Sequence, residues 1–229
     1  MGATHPLIHV ENLSKSFGQG AKKVEVLKGI TLTVCSGEAM AIYGSSGVGK
    51  STFMHILGTL DRPTSGKVIY RGQDVFSMED KALAAFRNRE IGFIFQLYHL
   101  LPEFDALENT MMPALIRGMQ RTKAAAKAEE ILVEVGLGDR ITHKPGELSG
   151  GEQQRVAVAR SLILQPAVLL ADEPTGNLDT KTGDAIHELL MGLNTEKGVT
   201  LIVVTHNHEI AGRMPRRIHM MDGKVFEEA

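Results

Sequence analysis

The chain has 229 residues, enough for one α/β domain with an inserted lobe and too few for two independent domains. Hydrophobic residues make up 43% and charged residues 23%, a balance that excludes a disordered or fibrous protein. With 25 basic and 27 acidic side chains the formal charge is −2, so nothing in the total draws the chain to nucleic acid or to a lipid surface.

In chain order, Met1 to Leu13 shows no basic leader followed by an apolar core, and no secretory signal is expected there. Leu7–Phe17, Val24–Val34 and Val68–Tyr70 are rich in β-branched residues with turn signals between them, which predicts an antiparallel sheet beside the core. Cys35, the single cysteine, has no partner for an internal disulfide, which fits a reducing compartment. It precedes a Ser36-Gly37 turn and reads as a packing residue.

Ala39–Tyr43 is a short apolar run of the kind buried in a parallel sheet, and it leads into Gly44-Ser45-Ser46-Gly47-Val48-Gly49-Lys50-Ser51. This fits the phosphate-binding pattern G-x-x-x-x-G-K-[ST], with a strand before it and the helix-competent stretch Thr52–Leu60 after it. Glycines let such a loop turn tightly and lay its backbone N–H groups on phosphate oxygens. The helix N-terminus adds unpaired donors and a favourable dipole. Lys50 offers a point charge to the β- and γ-phosphates, and the Ser51 hydroxyl offers a hard oxygen ligand to Mg²⁺. Thr52 is grouped with the loop as a nucleotide contact.

The apolar run Ile91–Phe95 ends at Gln96, whose amide is placed to approach metal and water. From about Glu103 to Gly150 the pattern turns helical, with Ala106–Arg117 and then Lys123–Val135. Residues 97–162 are expected to form an inserted helical subdomain. The core is then expected from 1–96 and 163–229, together with the antiparallel β subdomain. The most apolar stretch, Val156 to Ala171, is broken by Arg160, Gln165 and Pro166, so no bilayer span is expected.

Val168-Leu169-Leu170-Ala171 ends in the adjacent carboxylates Asp172 and Glu173, which needs a reason because buried acids are costly unless paired or metal-linked. A Mg²⁺·nucleotide supplies one: Asp172 faces the metal and Glu173 the water that attacks the γ-phosphate. The alternative is a strand-end pair capping the turn Pro174-Thr175-Gly176-Asn177. His206 follows the apolar strand Leu201–Thr205, where an imidazole is able to bond the γ-phosphate and orient water. The other histidines, His5, His9, His55, His99, His143, His187, His208 and His219, read as surface or packing residues. Parallel sheets bind ligands at the carboxyl ends of their strands, so the loops after Tyr43, Ala171 and Thr205 are expected to converge.

Leu148-Ser149-Gly150-Gly151-Glu152 resembles the signature sequence of ABC (ATP-binding cassette) ATPases, and the order of cradle, signature and acidic strand matches that family over essentially the whole chain. Ser149-Gly150-Gly151 precedes the helical stretch Glu152–Leu164, a second helix start ready for an anion. The resemblance implies a P-loop NTPase core, mostly parallel sheet with flanking helices, plus the antiparallel β subdomain and the inserted helical subdomain. It implies ATP and Mg²⁺ as ligands, and a head-to-tail dimer with a second copy of the chain. In that dimer Ser149, Gly150, Gly151 and Glu152 of one copy cover the γ-phosphate held by the other.

By matching position, Gln96 corresponds to the Q-loop, Asn177-Leu178-Asp179 to the D-loop, with Asp179 near the nucleotide, and His206 to the switch histidine. Phe17 corresponds to the aromatic that stacks on adenine, where the family often has Tyr; the alternative is a core phenylalanine. Asn207 and Val48 depart from the commoner residues. Phe95–Pro102, Ala106–Asn109 and Ala171–Asp179 resemble the bacterial lipoprotein-releasing subfamily, which includes relatives serving macrolide efflux and cell division.

The function implied is that of an ATPase, converting ATP and water to ADP and phosphate, as the motor of an inner-membrane transporter that releases lipoproteins. The alternative is a complex that signals across the membrane. Integral membrane permease subunits are the implied partners, at the cytoplasmic face, with no nucleic acid and no direct membrane insertion. Leu97, Leu100, Leu101 and Phe104 are expected either to line a groove for a permease helix or to belong to the helical lobe's own core.

Overall fold

The computed structural model describes residues 6–18 and 20–228; His5 and the rest of residues 1–5 in the leader reading lie outside them. The chain begins with β1 (Pro6–Phe17), β2 (Val24–Cys35), β3 (Ala39–Tyr43), α1 (Lys50–Leu57), β4 (Ser65–Tyr70), β5 (Gln73–Asp74), α2 (Asp80–Glu90) and β6 (Ile91–Ile94). Three helices follow, α3 (Ala106–Ile116), α4 (Arg121–Glu134) and α5 (Gly150–Leu162). The chain ends with β7 (Val168–Asp172), α6 (Thr180–Lys197), β8 (Thr200–Thr205), α7 (His208–Gly212), β9 (Arg216–Met221) and β10 (Lys224–Glu227).

The wholly apolar runs become the centre of a six-stranded sheet ordered β10-β9-β3-β8-β7-β6, in which every pair is parallel except β9 with β10. Every residue of β3 and β8 is buried, as a sheet covered on both faces requires. The strand period of two divides β3 between two cores. Met40 and Ile42 pack with α1 and the antiparallel sheet, whereas Ala39, Ala41 and Tyr43 face the core shared with α3, α4, α5 and α6. The second sheet, β2-β1-β4-β5, is antiparallel throughout, and its inward residues Ile8, Val10, Leu13 and Val68 meet α1.

Helix starts differ from the sequence expectation in a consistent direction. The helix expected from Thr52 begins at Lys50, and the one expected from Glu152 begins at Gly150. In both, polar or glycine residues of the anion-binding motif form the first turn, which apolar periodicity alone does not count. Helix α6, which the sequence reading does not name, is capped at one end by Asp179 and stopped at the other by Gly198, whose φ is 66°. Among the described residues no helix is long and apolar enough to cross a membrane.

Candidate active site

The loop after β3 wraps the Lys50 ammonium. Its Nζ donates to the carbonyls of Gly44 at 2.8 Å and Ser45 at 3.0 Å, and the residue is only 7% exposed. Burial pushes its pKa below the usual lysine value, while the nearby Glu173 and Asp172 carboxylates pull it back up. Gly49 caps α1 with φ 105°, a left-handed value; a Cβ there would lie 2.9 Å from the Leu27 side chain, so only glycine fits. Among the described residues no side chain caps the first turn of α1, whose N–H groups face the loop as donors for an anion.

The two carboxylates at the end of β7 are in different states. Asp172 Oδ1 is buried with no hydrogen-bond partner. Burial raises the Asp172 pKa, the neighbouring Ser51 hydroxyl opposes the rise, and the charge of Glu173 adds to it. A buried acceptor left open beside a hydroxyl is what a hard cation satisfies. Among the described residues no cluster of three His, Cys, Asp or Glu side chains forms a cage of its own. The open Asp172 oxygen and the Ser51 hydroxyl suit Mg²⁺, which keeps several waters and takes phosphate oxygens alongside one or two protein ligands.

Glu173, by contrast, is held on every side. Its φ is 46°, and its N–H donates to Val204 O at 2.8 Å, fastening the strained residue to β8. The carboxylate accepts from Thr205 Oγ1 at 2.9 Å, from the His206 N–H at 2.7 Å, and lies 2.6 Å from His206 Nδ1. The loops after β3, β7 and β8 thus meet, with Lys50, Ser51, Asp172, Glu173 and His206 in one constellation. A pinned carboxylate beside a cationic loop is able to orient a water and accept its proton. The Thr205 hydroxyl is the member that sequence reading misses; its only signal is a polar side chain closing an otherwise apolar strand.

Gln96 and Asn177 hold each other. Gln96 Nε2 donates to Asn177 Oδ1, and Asn177 Nδ2 returns a bond to Gln96 O, both at 3.0 Å. Asp179 caps α6, accepting from Thr182 N at 3.1 Å and Thr182 Oγ1 at 2.6 Å, and these bonds lower its pKa. Phe17 stands 46% exposed at the end of β1, with the Lys15 ammonium 4.9 Å from its ring centroid. It pairs with Val24, and Val26 two residues on packs against Gly49, so the edge of the antiparallel sheet abuts the cradle.

Ser149, Gly150, Gly151 and Glu152 sit apart. Ser149 Oγ accepts from Glu152 N at 3.3 Å, and Glu152 Oε2 accepts from Ser149 N at 2.8 Å, a reciprocal cap on α5. The Ser149 hydrogen bonds hold the Glu152 carboxyl below its usual range, and Arg140 Nε lies 3.2 Å from its other oxygen. The Glu152 carboxylate is thereby turned into the cap. Among the described residues no hydrogen bond joins this segment to the Gly44–Thr52 loop; Gly150 instead abuts Tyr98 and Leu178, and Gly151 abuts Thr182.

The apolar groove expected from four residues divides. Leu97 and Leu101 are exposed, but Leu100 packs into the helical core and Phe104 is half-buried. A cavity of about 470 Å³ opens instead beside β6, lined by Leu60, Phe93, Phe95, His99, Pro113 and Ile116 among others.

A family model described as ABC transporter matches residues 27–176. The chain is 61% identical over 222 residues to the "Lipoprotein-releasing system ATP-binding protein LolD" of Geobacter metallireducens, covering 97% of this chain and 99% of that one. The protein of the same name from Myxococcus xanthus is 55% identical over 221 residues, covering 96% and 99%. Among solved structures, the dimeric ATP-binding cassette MJ0796 bound to ADP and Pi superposes with a TM-score of 0.88 at 40% identity, covering 96% of this chain and 97% of that one. CbiO1 of Clostridium perfringens, described as part of the transporter complex cbiONQ, gives a TM-score of 0.85 at 27% identity, covering 96% and 87%.

Proposed function

The chain belongs to the ABC transporter family, and on that premise we propose that it is the ATP-hydrolysing subunit of a bacterial lipoprotein-releasing system. Two copies work head to tail, docked on integral membrane subunits at the cytoplasmic face of the inner membrane. The relatives carrying the lipoprotein-releasing name match over nearly their full length and support this reading over macrolide efflux or cell-division signalling. The dimeric cassette neighbour supports the paired arrangement.

The observation that carries the reading is the constellation of a pinned Glu173, an open Asp172 oxygen and a buried Lys50 at the converging strand ends. Gly44–Thr52 cradles the triphosphate of ATP through backbone N–H groups, and Lys50 neutralises charge developing on the β/γ bridge. Ser51 and Asp172, with Gln96 beyond them, hold Mg²⁺, which screens the phosphate oxygens when bound. Glu173 orients the attacking water and takes its proton; His206 keeps the carboxylate in place. Phe17 stacks on adenine with the face that Lys15 leaves open. Ser149, Gly150 and Gly151 belong to the site of the opposing copy, where Asp179 also approaches, and closure over ATP completes it.

Binding energy closes the pair and hydrolysis reopens it, passing the motion to the membrane subunits. The cavity beside β6, with Leu97 and Leu101 exposed on the turn above it, receives a cytoplasmic helix of those subunits. Proteoliposomes holding the chain, its membrane subunits and a reconstituted lipoprotein test the function. ATP-dependent release of the lipoprotein is expected; hydrolysis that neither responds to lipoprotein nor releases it would remove the lipoprotein assignment.

A further inference from the structure

The turn that follows Gln96 is strained and bolted from beneath. Tyr98 and His99 have φ of 57° and 49°, left-handed values that side-chain-bearing residues seldom adopt singly and that here occur in succession. Short-range bonds close the turn, Tyr98 N to Phe95 O at 3.2 Å and His99 N to Leu97 O at 2.5 Å. They do not use the carbonyls of Tyr98 and His99 themselves. Arg160 does: its Nη2 donates to Tyr98 O at 2.6 Å and its Nη1 to His99 O at 2.5 Å. A planar two-pronged donor fits adjacent carbonyls in a way that an ammonium does not.

Arg160 lies on α5, the helix that starts at the signature segment. The same turn also reaches the start of that helix, because a Cβ on Gly150 would stand 3.0 Å from the Tyr98 phenol oxygen. Tyr98 therefore touches the first turn of α5 with its ring and the last turn with its carbonyl. On its other side the turn faces outward. Leu97 is 67% exposed, and Phe95 and His99, edge to face at 5.0 Å, line the cavity beside β6, whose wall the Arg160 side chain also joins. One short segment thus joins the amide of Gln96, the partner-facing cavity and both ends of the signature helix.

We propose that Arg160, with Tyr98, is a positioning residue that makes the Gln96–His99 turn and α5 move as one body. A membrane helix seated in the cavity then sets where Ser149–Gly151 stand over the nucleotide of the opposing copy. The inference rests on the docking reading above. It adds that partner binding acts on hydrolysis through this guanidinium, although Arg160 touches neither nucleotide nor water.

The test compares ATPase activity of the isolated chain with that of the purified complex with its membrane subunits, for wild type, Arg160→Lys, Arg160→Gln and Tyr98→Leu. Each variant is expected to co-purify with the membrane subunits and to keep the isolated-chain rate within about twofold, while kcat of the complex falls about tenfold at unchanged KM for ATP. Arg160→Lys is expected to be no better than Arg160→Gln, because the two-carbonyl fit is what matters. Equal losses in the isolated chain and the complex, or a complex with the wild-type rate, overturn the proposal. So does failure of a folded variant to co-purify, which assigns the residue to docking. Tyr98→Leu keeps the carbonyls and tests the ring contact if the arginine variants unfold. Failure of the wild-type chain to co-purify would instead remove the docking reading itself.

Discussion

Glu173 and His206 share one oxygen: Oε1 of the carboxylate accepts from the His206 N–H at 2.7 Å and lies 2.6 Å from the His206 ring Nδ1. The other oxygen takes the Thr205 hydroxyl at 2.9 Å, and the Glu173 backbone is fastened to β8 in a left-handed conformation. The carboxylate is thus set by the end of one strand while its own residue closes another. A carboxylate held this way, if it serves as the base proposed above, needs no rearrangement to meet a water beside the cradle.

Replacing Glu173 by Gln keeps an oxygen to accept from His206 and Thr205 but removes the proton acceptor. Turnover is expected to fall by about 10²–10⁴. Nucleotide binding is expected to remain within a few-fold, because the cradle is untouched, and the closed dimer becomes long-lived. Steady-state phosphate release, equilibrium ATP binding and gel filtration with ATP·Mg²⁺ check the three parts. A variant that turns over at the wild-type rate displaces Glu173 from the role of base.

Asp172 allows a prediction with a sign. Burial raises its pKa above the unfolded value, so the folded state holds this proton more tightly than the unfolded chain. The associated stability is present below the ordinary carboxylate range and is lost as pH climbs through the raised value. Above that window the ion is only partly compensated by Ser51, His55 and Lys50, and Asp172→Asn relieves it. The ligand-free variant is expected to melt about 2–4 °C higher at pH 7.5, the shift for roughly 1 kcal/mol at this chain length, and to match wild type near pH 3. Adding ATP and Mg²⁺ reverses the order, since only the carboxylate gains by holding the metal. A variant less stable than wild type without ligand contradicts the open-acceptor account.

Much of this arrangement is legible in the sequence because its logic is local. Apolar runs such as Ala39–Tyr43, Val168–Ala171 and Leu201–Thr205 announce buried strands, and the residues just beyond each run stand at the sheet's carboxyl edge. What periodicity does not carry is long-range and polar. The bond from Thr205 to Glu173 spans 32 positions, the Gln96–Asn177 exchange spans 81, and Arg160 reaches back 62 to Tyr98. The division of Leu100 from Leu97 and Leu101 is equally invisible beforehand, because it depends on how α3 and α5 pack beneath the turn. The two extra helical residues at the start of α1 and of α5 escape for the opposite reason: they are polar or bare, and no apolar count includes them.

Phe17 offers a π face on one side and the Lys15 ammonium on the other, itself anchored by Asp61 at 2.7 Å. Phe17→Ala is expected to raise KM for ATP by about tenfold at nearly constant kcat, the loss of one stacking partner of roughly 1–1.5 kcal/mol. Phe17→Tyr is expected to stay within about twofold of wild type. Initial-rate measurements over a range of ATP concentrations distinguish the two. An alanine variant with unchanged KM returns Phe17 to an ordinary surface aromatic.

The separation of Ser149 from the Gly44–Thr52 loop within one chain can be turned into a mixing experiment. Lys50→Ala disables the cradle of the copy that carries it, whereas Ser149→Arg disables the site to which that copy lends its signature. Each variant alone is expected to be nearly inactive. In a head-to-tail heterodimer of the two, both defects fall on the same site, and the other site receives a wild-type Lys50 and a wild-type Ser149. Random pairing at equal amounts gives heterodimers as half of all dimers, each with one intact site of two. Independent sites would then recover about a quarter of wild-type activity. If Ser149 instead served the nucleotide of its own copy, both sites of the heterodimer would carry a defect and mixing would recover nothing. ATPase activity titrated against the ratio of the two variants reads this directly, with a maximum at equal amounts expected and a flat line refuting the shared site. Melting curves of Ser149→Arg guard against a trivial loss, because removing the hydroxyl that caps α5 is expected to lower stability by about 1 kcal/mol without unfolding the chain.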